Sequence, residues 1–264
     1  MSQFPSDLEF AQHLADRADA ISLSRFNALD LNVTQKPDLT PVSDADLAVE
    51  TELRAQIAAH NPNDSVIGEE FAHTTLGQRT WIIDPIDGTK NYVRGVPVWA
   101  TLIALRDGGK ITVGLVSAPA LNRRWWAEIG LGAWVQELGS DFPRRLHVSP
   151  VQKMVDASFS FSDQQGWDQS DFESLRAATW RQRAYGDFWS HVLLAEGAVD
   201  VSAEPELALY DYAALLPIVA EAGGEASQFD GTPLPIHDPD VEPSLICSNG
   251  SLHQECLKLL KVQT

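Results

Sequence analysis

The segment with the clearest chemical potential spans residues 81–91 and has the sequence WIIDPIDGTKN. Three apolar residues lead directly into Asp84 and Asp87, two carboxylates three positions apart. Pro85 fixes a backbone angle and Gly88 permits a tight turn, so both acids can point at one place. Such a pair repels unless a cation lies between the two charges, and Mg²⁺ favours carboxylates together with phosphate oxygens. The segment predicts a divalent-metal site, with a plain solvated turn as the alternative because Asp-Gly is a common turn signal.

Three further acids follow patterns that are ordinary when each is taken alone. Glu69 comes after a short apolar run and a glycine, as a surface carboxylate can. Asp46 falls in the first turn of a predicted helix, where the helix dipole favours an acid. Asp211 begins another predicted helix and is suited to capping it. None of the three indicates chemistry by itself.

Taken together, these segments resemble the inositol monophosphatase family of metal-dependent phosphomonoesterases. Four motifs carry the resemblance: GEE at 68–70, WIIDPIDGT at 81–89 followed by Asn91, YDYAA at 210–214 and EAGG at 221–224. Their order and spacing match the family over nearly the whole chain. The sequence departs from the family at Tyr210, where Trp is frequent, and at Lys90 and Tyr92, where Thr and Phe are common. None of these departures removes an expected metal ligand.

The resemblance implies hydrolysis of a phosphate monoester with two or three Mg²⁺ ions. The expected metal ligands are four carboxylates and one backbone carbonyl, those of Glu69, Asp84, Asp87, Asp211 and Ile86. Glu69 and Thr89 would flank the attacking water, and Asp46 would orient the Thr89 hydroxyl in a general-base relay. The backbone N–H groups of Gly88 and Thr89 would hold the phosphate.

Lys36 and Asp38 lie shortly before the Asp46 segment, where members of the family have a mobile loop. The resemblance suggests that these two residues help to close the site and tune its metal occupancy. A plain surface loop is the alternative, and both interpretations stay open at this point.

Residues 186–191, GDFWSH, indicate the chemical nature of the leaving group, because the resemblance places this segment in contact with it. Asp187 and Glu204 are suited to pair with a cation, and Phe188 or Trp189 to stack on a planar ring. The segment also resembles that of bacterial members of the superfamily that act on histidinol phosphate, which carries an ammonium and an imidazole. We therefore expect L-histidinol phosphate as the substrate. The alternatives are inositol phosphate or a related sugar phosphate and, in another class, a metal-binding regulatory protein without catalysis.

A purely structural interpretation of residues 186–191 is also open. Phe188 and Trp189 would then pack in the core, and Asp187 would only cap the following helix. His191 is expected to be a packed helix residue rather than a ligand.

The elements that must position these residues follow from the apolar pattern. Residues 5–25 and 43–59 predict helices, the second capped by Ser43. Strands are expected at 81–83, 100–105, 111–116, 124–129 and 133–136, with a hairpin turn at 107–109. After a connection at 140–150, strands at 158–162, 199–202 and 244–247 alternate with helices at 188–196, 211–222 and 252–262.

This pattern predicts a mixed α/β chain of two lobes. The lobe of residues 1–140 would hold an antiparallel sheet and the main metal motifs. The lobe of residues 141–264 would hold the substrate residues and the third metal motif. The resemblance implies that both lobes form a layered α-β-α-β-α sandwich, as in inositol monophosphatases.

The composition limits the partners that this chain can have. Its 264 residues carry 19 basic and 37 acidic side chains, and the net charge of −18 opposes binding to nucleic acid or anionic membranes. No window approaches the ~20 apolar residues of a membrane span, the N-terminus lacks a secretory-signal pattern, and two cysteines cannot form a disulfide framework. We expect a cytoplasmic protein with a small phosphorylated substrate and, from the resemblance, a homodimer.

Overall fold

Alternating layers of helices and sheets form the structure, a computed structural model that describes residues 4–36 and 40–260. The helices are α1 (Asp7–Arg25), α2 (Asp44–His60), α3 (Thr89–Tyr92), α4 (Gln169–Ala178), α5 (Asp187–Ala195), α6 (Leu209–Tyr212), α7 (Leu215–Glu221) and α8 (His253–Leu260). The strands are β1 (Val33–Gln35), β2 (Pro41–Ser43), β3 (Ser65–Gly68), β4 (Thr80–Asp87), β5 (Ala100–Asp107), β6 (Lys110–Ala118), β7 (Arg123–Glu128), β8 (Gly132–Glu137), β9 (Arg144–Arg145), β10 (Ser158–Ser160), β11 (Arg181–Arg183), β12 (Val201–Glu204), β13 (Glu225–Ser227) and β14 (Leu245–Ser248). None of the helices described here is both long and apolar enough to cross a membrane.

The larger sheet has the strand order β3-β4-β5-β6-β7-β8-β9. Its pair β3 and β4 is parallel, and the other neighbouring pairs are antiparallel. The predicted hairpin at 107–109 is confirmed as the connection between β5 and β6. Strand β9 lies inside the predicted connection at 140–150, and its two residues are too few to give an alternating pattern. Helices α1 and α2, both confirmed at their predicted places, cover one face of this sheet.

The smaller sheet has the mixed order β11-β10-β12-β14-β13. Helices α4 and α8 pack on its outer face. Helices α5, α6 and α7 lie between the two sheets and share one apolar core with both. The layers therefore run helix, sheet, helix, sheet, helix, which confirms the predicted α-β-α-β-α sandwich. The division into lobes at residue 140 stays a prediction.

The predicted helix at 211–222 was wrong in its continuity, because the chain forms α6 and then α7. Pro217 lies in the first turn of α7 and has no N–H to donate to the carbonyl of Ala213, so a single helix cannot run through this point. Asp211 does not begin the helix either. It is the third residue of α6, and its carboxylate accepts a hydrogen bond of 2.9 Å from the N–H of Ala208.

The predicted cap of the helix at 188–196 is also corrected. Gly186 is the capping residue, and Asp187 is the first residue of α5, with a left-handed φ of 47°. Its carboxylate accepts a hydrogen bond from the side chain of Asn91 instead of capping its own helix. The short helix α4 was not predicted, because its sequence is largely polar and buries only Phe172 and Leu175.

Close packing between α7 and the large sheet depends on Gly114 in β6. A Cβ at this position would overlap the carbonyl oxygen of Ala214 and lie 2.5 Å from Cγ of Pro217. The helix can approach the strand only because residue 114 has no side chain.

We expect Gly114→Ala to destabilise the fold by about 1–3 kcal/mol, because α7 must move away from β6 to admit the methyl group. Urea-induced unfolding measures this loss as a lower midpoint. Lys110→Ala, an exposed change on the same strand, is the control. An unchanged midpoint for Gly114→Ala would contradict this account of the packing.

Candidate active site

Three carboxylates from distant parts of the chain converge at the end of β4. One oxygen from each of Asp84, Asp87 and Asp211 lies within 4.8 Å of the others. Residues three apart on a regular strand point to opposite faces of a sheet. The pairing of β4 with β5 shifts register between Asp84 and Asp87, and this irregularity turns both acids toward α6. The chain thus forms a small cage of carboxylate oxygens.

The cage is electrostatically unfavourable without a cation. Burial raises the pKa of Asp84 well above its ordinary value, and the charge of Glu69 raises it further. The pKa of Asp87 is raised by burial and then by Asp187. Burial and Glu69 together raise the pKa of Asp211 to about 7. Several hard oxygen donors that repel one another in a buried position are the donor set that a divalent cation such as Mg²⁺ prefers.

Glu69 follows β3, and because β3 runs parallel to β4, both strands end at the same edge of the sheet. Oε1 of Glu69 lies 2.6 Å from Nζ of Lys36, which also lies 2.8 Å from Oε1 of Glu70. Burial opposes the charge on Lys36, but these two carboxylates raise its pKa above the ordinary value. The structure thus brings Lys36 to the site, whereas the other predicted loop residue, Asp38, lies outside the described residues.

Sequence reasoning missed Glu50, which supports the Gly-Glu-Glu segment from behind. Glu50 lies in α2 with no exposed surface, and its Oε2 accepts a hydrogen bond of 2.8 Å from the N–H of Glu70. Its Oε1 accepts one of 2.7 Å from Nε of Arg54. A Cβ on Gly68 would overlap the Glu50 carboxylate, so the glycine before Glu69 makes room for this support. The available signal was the spacing of four between Asp46 and Glu50, which puts both on one helix face.

Thr89 and Asp46 meet beside the cage. Oγ of Thr89 donates to the carbonyl of Ile86 at 3.0 Å and lies 3.4 Å from Oδ1 of Asp46. The other oxygen of Asp46 accepts hydrogen bonds from the N–H and the hydroxyl of Ser43, in the capping box of α2. Burial raises the pKa of Asp46 to about 6, although the bonds from Ser43 oppose that shift. The helix start thus fixes the carboxylate that faces Thr89.

Gly88 stands immediately before α3 with a φ of 84°. A Cβ there would lie 3.0 Å from the carbonyl oxygen of Val98 and in a backbone region unfavourable to other residues. The turn that the sequence predicted at this glycine is confirmed, and it brings the N-terminus of α3 to the site.

Two adjoining cavities open beside these residues. The larger has a volume of about 440 Å³, and its lining includes Lys36, Glu69 and Thr89. The smaller has a volume of about 130 Å³ and is lined in part by Phe188, Glu204 and His191. Asp187 and Asp211 line both, so the smaller cavity extends the larger one past the cage.

Asp187 and Glu204 are linked through one hydroxyl group. The backbone N–H of Asp187 donates to Oγ of Ser162 at 2.8 Å, and that hydroxyl donates to Oε1 of Glu204 at 2.8 Å. Nδ2 of Asn91 lies 3.0 Å from Oδ2 of Asp187 and fixes its carboxylate from the side of α3. Burial raises the pKa of Asp187 to about 6 and that of Glu204 to about 8. A cationic group entering the cavity would stabilise both in their charged forms.

The two predicted aromatic residues lie in different surroundings. The ring of Phe188 is buried and packs against Trp125, while one side of it lines the smaller cavity. The backbone N–H of Phe188 donates to Oδ2 of Asp87 at 2.7 Å, so the first turn of α5 holds a member of the cage. Trp189 packs against Tyr185, with ring centroids 5.5 Å apart. Among the described residues, Trp189 is not part of either lining.

Comparisons with known proteins agree with this fold. The model of the Inositol monophosphatase family matches residues 6–263. The chain is 52% identical to the Histidinol-phosphatase of Streptomyces coelicolor, covering 98% of both chains. It is 52% identical to that of Mycobacterium tuberculosis, covering 96% of this chain and 97% of the relative. A solved IMPase of Thermotoga maritima superposes with a TM-score of 0.85 at 29% identity, covering 96% of each chain. The chain belongs to the inositol monophosphatase family.

The raised pKa values of the cage predict an unusual dependence of stability on pH. Without metal, the folded protein binds more protons than the unfolded chain, so it loses stability as the pH rises from about 4 through about 7, the pKa of Asp211. We expect the Tm in EDTA to fall over this range. Added Mg²⁺ should raise the Tm most at pH 8, where the carboxylates are free to bind it.

Asp84→Asn tests this assignment, because it removes one charge from the cage. It should raise the Tm in EDTA, flatten the dependence on pH and abolish most of the shift caused by Mg²⁺. Asp240→Asn, the same change at an exposed position, is the matched control. A shift with Mg²⁺ that survives unchanged in Asp84→Asn would show that the ion binds elsewhere.

Proposed function

We propose that this protein hydrolyses L-histidinol phosphate to L-histidinol and inorganic phosphate, with Mg²⁺ as the cofactor. The observation that carries the proposal is the carboxylate cage opening into a cavity lined by two further acids, the half-buried Asp187 and the buried Glu204. Two relatives that are 52% identical over nearly their whole length are histidinol-phosphatases, which supports the same substrate for this chain.

Two or three Mg²⁺ ions are proposed for each site. Their ligands would be Glu69, Asp84, the carbonyl of Ile86, Asp87 and Asp211. Bound metal would neutralise phosphate oxygens, lower the pKa of a bound water and stabilise the leaving oxygen. This chemistry also explains how a protein with a net charge of −18 accepts an anionic substrate.

The protein groups would act on the attacking water and on the phosphate. Glu69 and the hydroxyl of Thr89 would hold the water in line with the phosphorus atom. Asp46, 3.4 Å from that hydroxyl, would orient it. As the water passes a proton to the hydroxyl of Thr89, Asp46 would take up the proton that the hydroxyl gives away. The N–H groups of Gly88 and Thr89 would bind phosphate oxygens at the start of α3. Lys36, whose Nζ lies 2.6 Å from Oε1 of Glu69, would partly neutralise that carboxylate and so tune the metal occupancy of the site.

The leaving group would be recognised by charge and shape. Asp187 and Glu204 would pair with the ammonium of histidinol, and the buried ring of Phe188 would form one wall for the rest of the molecule. Trp189, which packs against Tyr185, would act by supporting α5 rather than by touching the substrate. The resemblance to the family also supports a homodimer.

Inositol phosphate is the second candidate substrate, since the Thermotoga maritima structure with a TM-score of 0.85 is an IMPase. Steady-state kinetics with L-histidinol phosphate and with inositol 1-phosphate decide between the two substrates. With Mg²⁺ present, we expect kcat/KM for L-histidinol phosphate to exceed that for inositol 1-phosphate by about 100-fold or more, because buried acids left without a cation disfavour a neutral polyol. Equal values, or a preference for inositol phosphate, would refute the proposed substrate.

The role of Thr89 gives a separate prediction. Thr89→Ala should lower kcat by about 10²–10⁴-fold with little change in KM, since the hydroxyl would act on the water rather than on the bound ester. Thr89→Ser keeps the hydroxyl and should retain most activity. Thr112→Ala removes a hydroxyl that donates to the carbonyl of Leu105 away from the site, and it serves as the control. Full activity in Thr89→Ala would exclude this role.

A further inference from the structure

The smaller cavity contains a histidine that the proposed mechanism does not use. His191 lies in α5 with 1% of its surface exposed, yet it is one of the residues that line this cavity, together with Glu204. Nδ1 of the ring lies 2.9 Å from the hydroxyl oxygen of Ser202 in β12. The expectation that His191 is packed in the helix is met, and the residue also borders the cavity.

His191 is held neutral, because burial lowers its pKa to about 4. A neutral imidazole has one nitrogen that donates and one that accepts a hydrogen bond. Ser202 engages Nδ1, and among the described residues no hydrogen bond to Nε2 is recorded. A ring nitrogen without a protein partner can bond to a ligand, so Nε2 is suited to a partner that enters through the cavity.

The cavity has the size and the walls of a subsite for one small ring. Its volume of about 130 Å³ corresponds to roughly four water molecules at ~30 Å³ each. Phe188, Leu207 and Leu215 supply apolar walls, while His191 and Glu204 supply polar atoms. Such a mixture favours a flat group that has apolar faces and hydrogen-bonding edges.

The position of the cavity agrees with the side chain of the proposed substrate. Asp87 and Asp211 of the cage also line it, so it begins where the leaving oxygen would lie. Asp187 lines both cavities and stands at their junction. If Asp187 binds the ammonium of histidinol phosphate, the imidazole ring of the same molecule would lie in the smaller cavity.

Building on the proposed function, we propose that the smaller cavity binds the imidazole ring of histidinol phosphate and that Nε2 of His191 forms a hydrogen bond with it. His191 is thereby a specificity residue for the ring of the leaving group. Ser202 is a positioning residue, since its bond to Nδ1 fixes the plane of the His191 ring.

Two amide substitutions separate the roles of the two ring nitrogens. His191→Asn can keep the contact of Nδ1 with Ser202 but has no atom at the position of Nε2. His191→Gln extends an amide toward the position of Nε2. Steady-state kinetics with Mg²⁺ should compare L-histidinol phosphate with 2-aminopropyl phosphate, which keeps the ester and the ammonium but has no ring.

We expect His191→Asn to lower kcat/KM for histidinol phosphate by about 10- to 100-fold, mainly through KM. The ratio of kcat/KM for the two esters should fall by at least about tenfold, and His191→Gln should restore part of it. The matched control is His253→Asn, a buried histidine of α8 that bonds to Ser227 and Ser248. The control should leave the ratio of the two esters unchanged.

The outcomes distinguish this inference from the function on which it rests. Wild-type protein that does not prefer histidinol phosphate to inositol phosphate would overturn the proposed function. The ring subsite alone would be overturned if the wild-type protein prefers histidinol phosphate to inositol phosphate but His191→Asn leaves the ratio of kcat/KM for histidinol phosphate and 2-aminopropyl phosphate unchanged. Equal losses on both esters would assign His191 a purely structural role and would also overturn the subsite. The Tm of each variant shows whether it is folded.

Discussion

Repulsion between carboxylates that are buried or half-buried is the constraint to which the rest of the structure responds. Asp84, Asp87 and Asp211 are held within a few ångströms of one another, with Glu69 close enough to raise the pKa of all three. A chain free to relax would separate these charges. The larger sheet prevents this, because β3 and β4 end side by side and α6 is anchored in the apolar core between the sheets. Hydrophobic packing of the layers thus holds the carboxylates close together, in an arrangement that a cation would stabilise.

Neighbouring groups that touch no reacting atom fix each acid. Glu50 holds the backbone beyond Glu69 and requires glycine at position 68. Ser43 holds Asp46 through the capping box of α2. These supports come from α2 and its N-cap, on one side of the large sheet, whereas the leaving-group residues belong to the middle layer and the smaller sheet. The site therefore lies where both sheets contribute, which is why its parts are so far apart in the sequence.

The sequence predicted those features that depend on contiguous residues. The motif at 81–89 located two acids of the cage, and alternating apolar residues located the hairpins of the large sheet. Other features depend on contacts that one segment cannot reveal. The register shift after Asp84 exists only in the pairing with β5, and the role of Glu50 requires α2 to lie behind β3. The break at Pro217 was visible in the sequence, but the apolar run around it suggested a longer helix. Whether His191 faces a cavity depends on how α5 rotates against β12.

The bond from the backbone N–H of Phe188 to Asp87 has an evolutionary consequence. A main-chain donor is the same whichever side chain follows it, so mutation at position 188 can reshape the leaving-group pocket without removing that contact. Selection could therefore alter which ester is accepted while the catalytic apparatus is inherited intact. A family built in this way can come to accept new substrates through small changes in one helical turn.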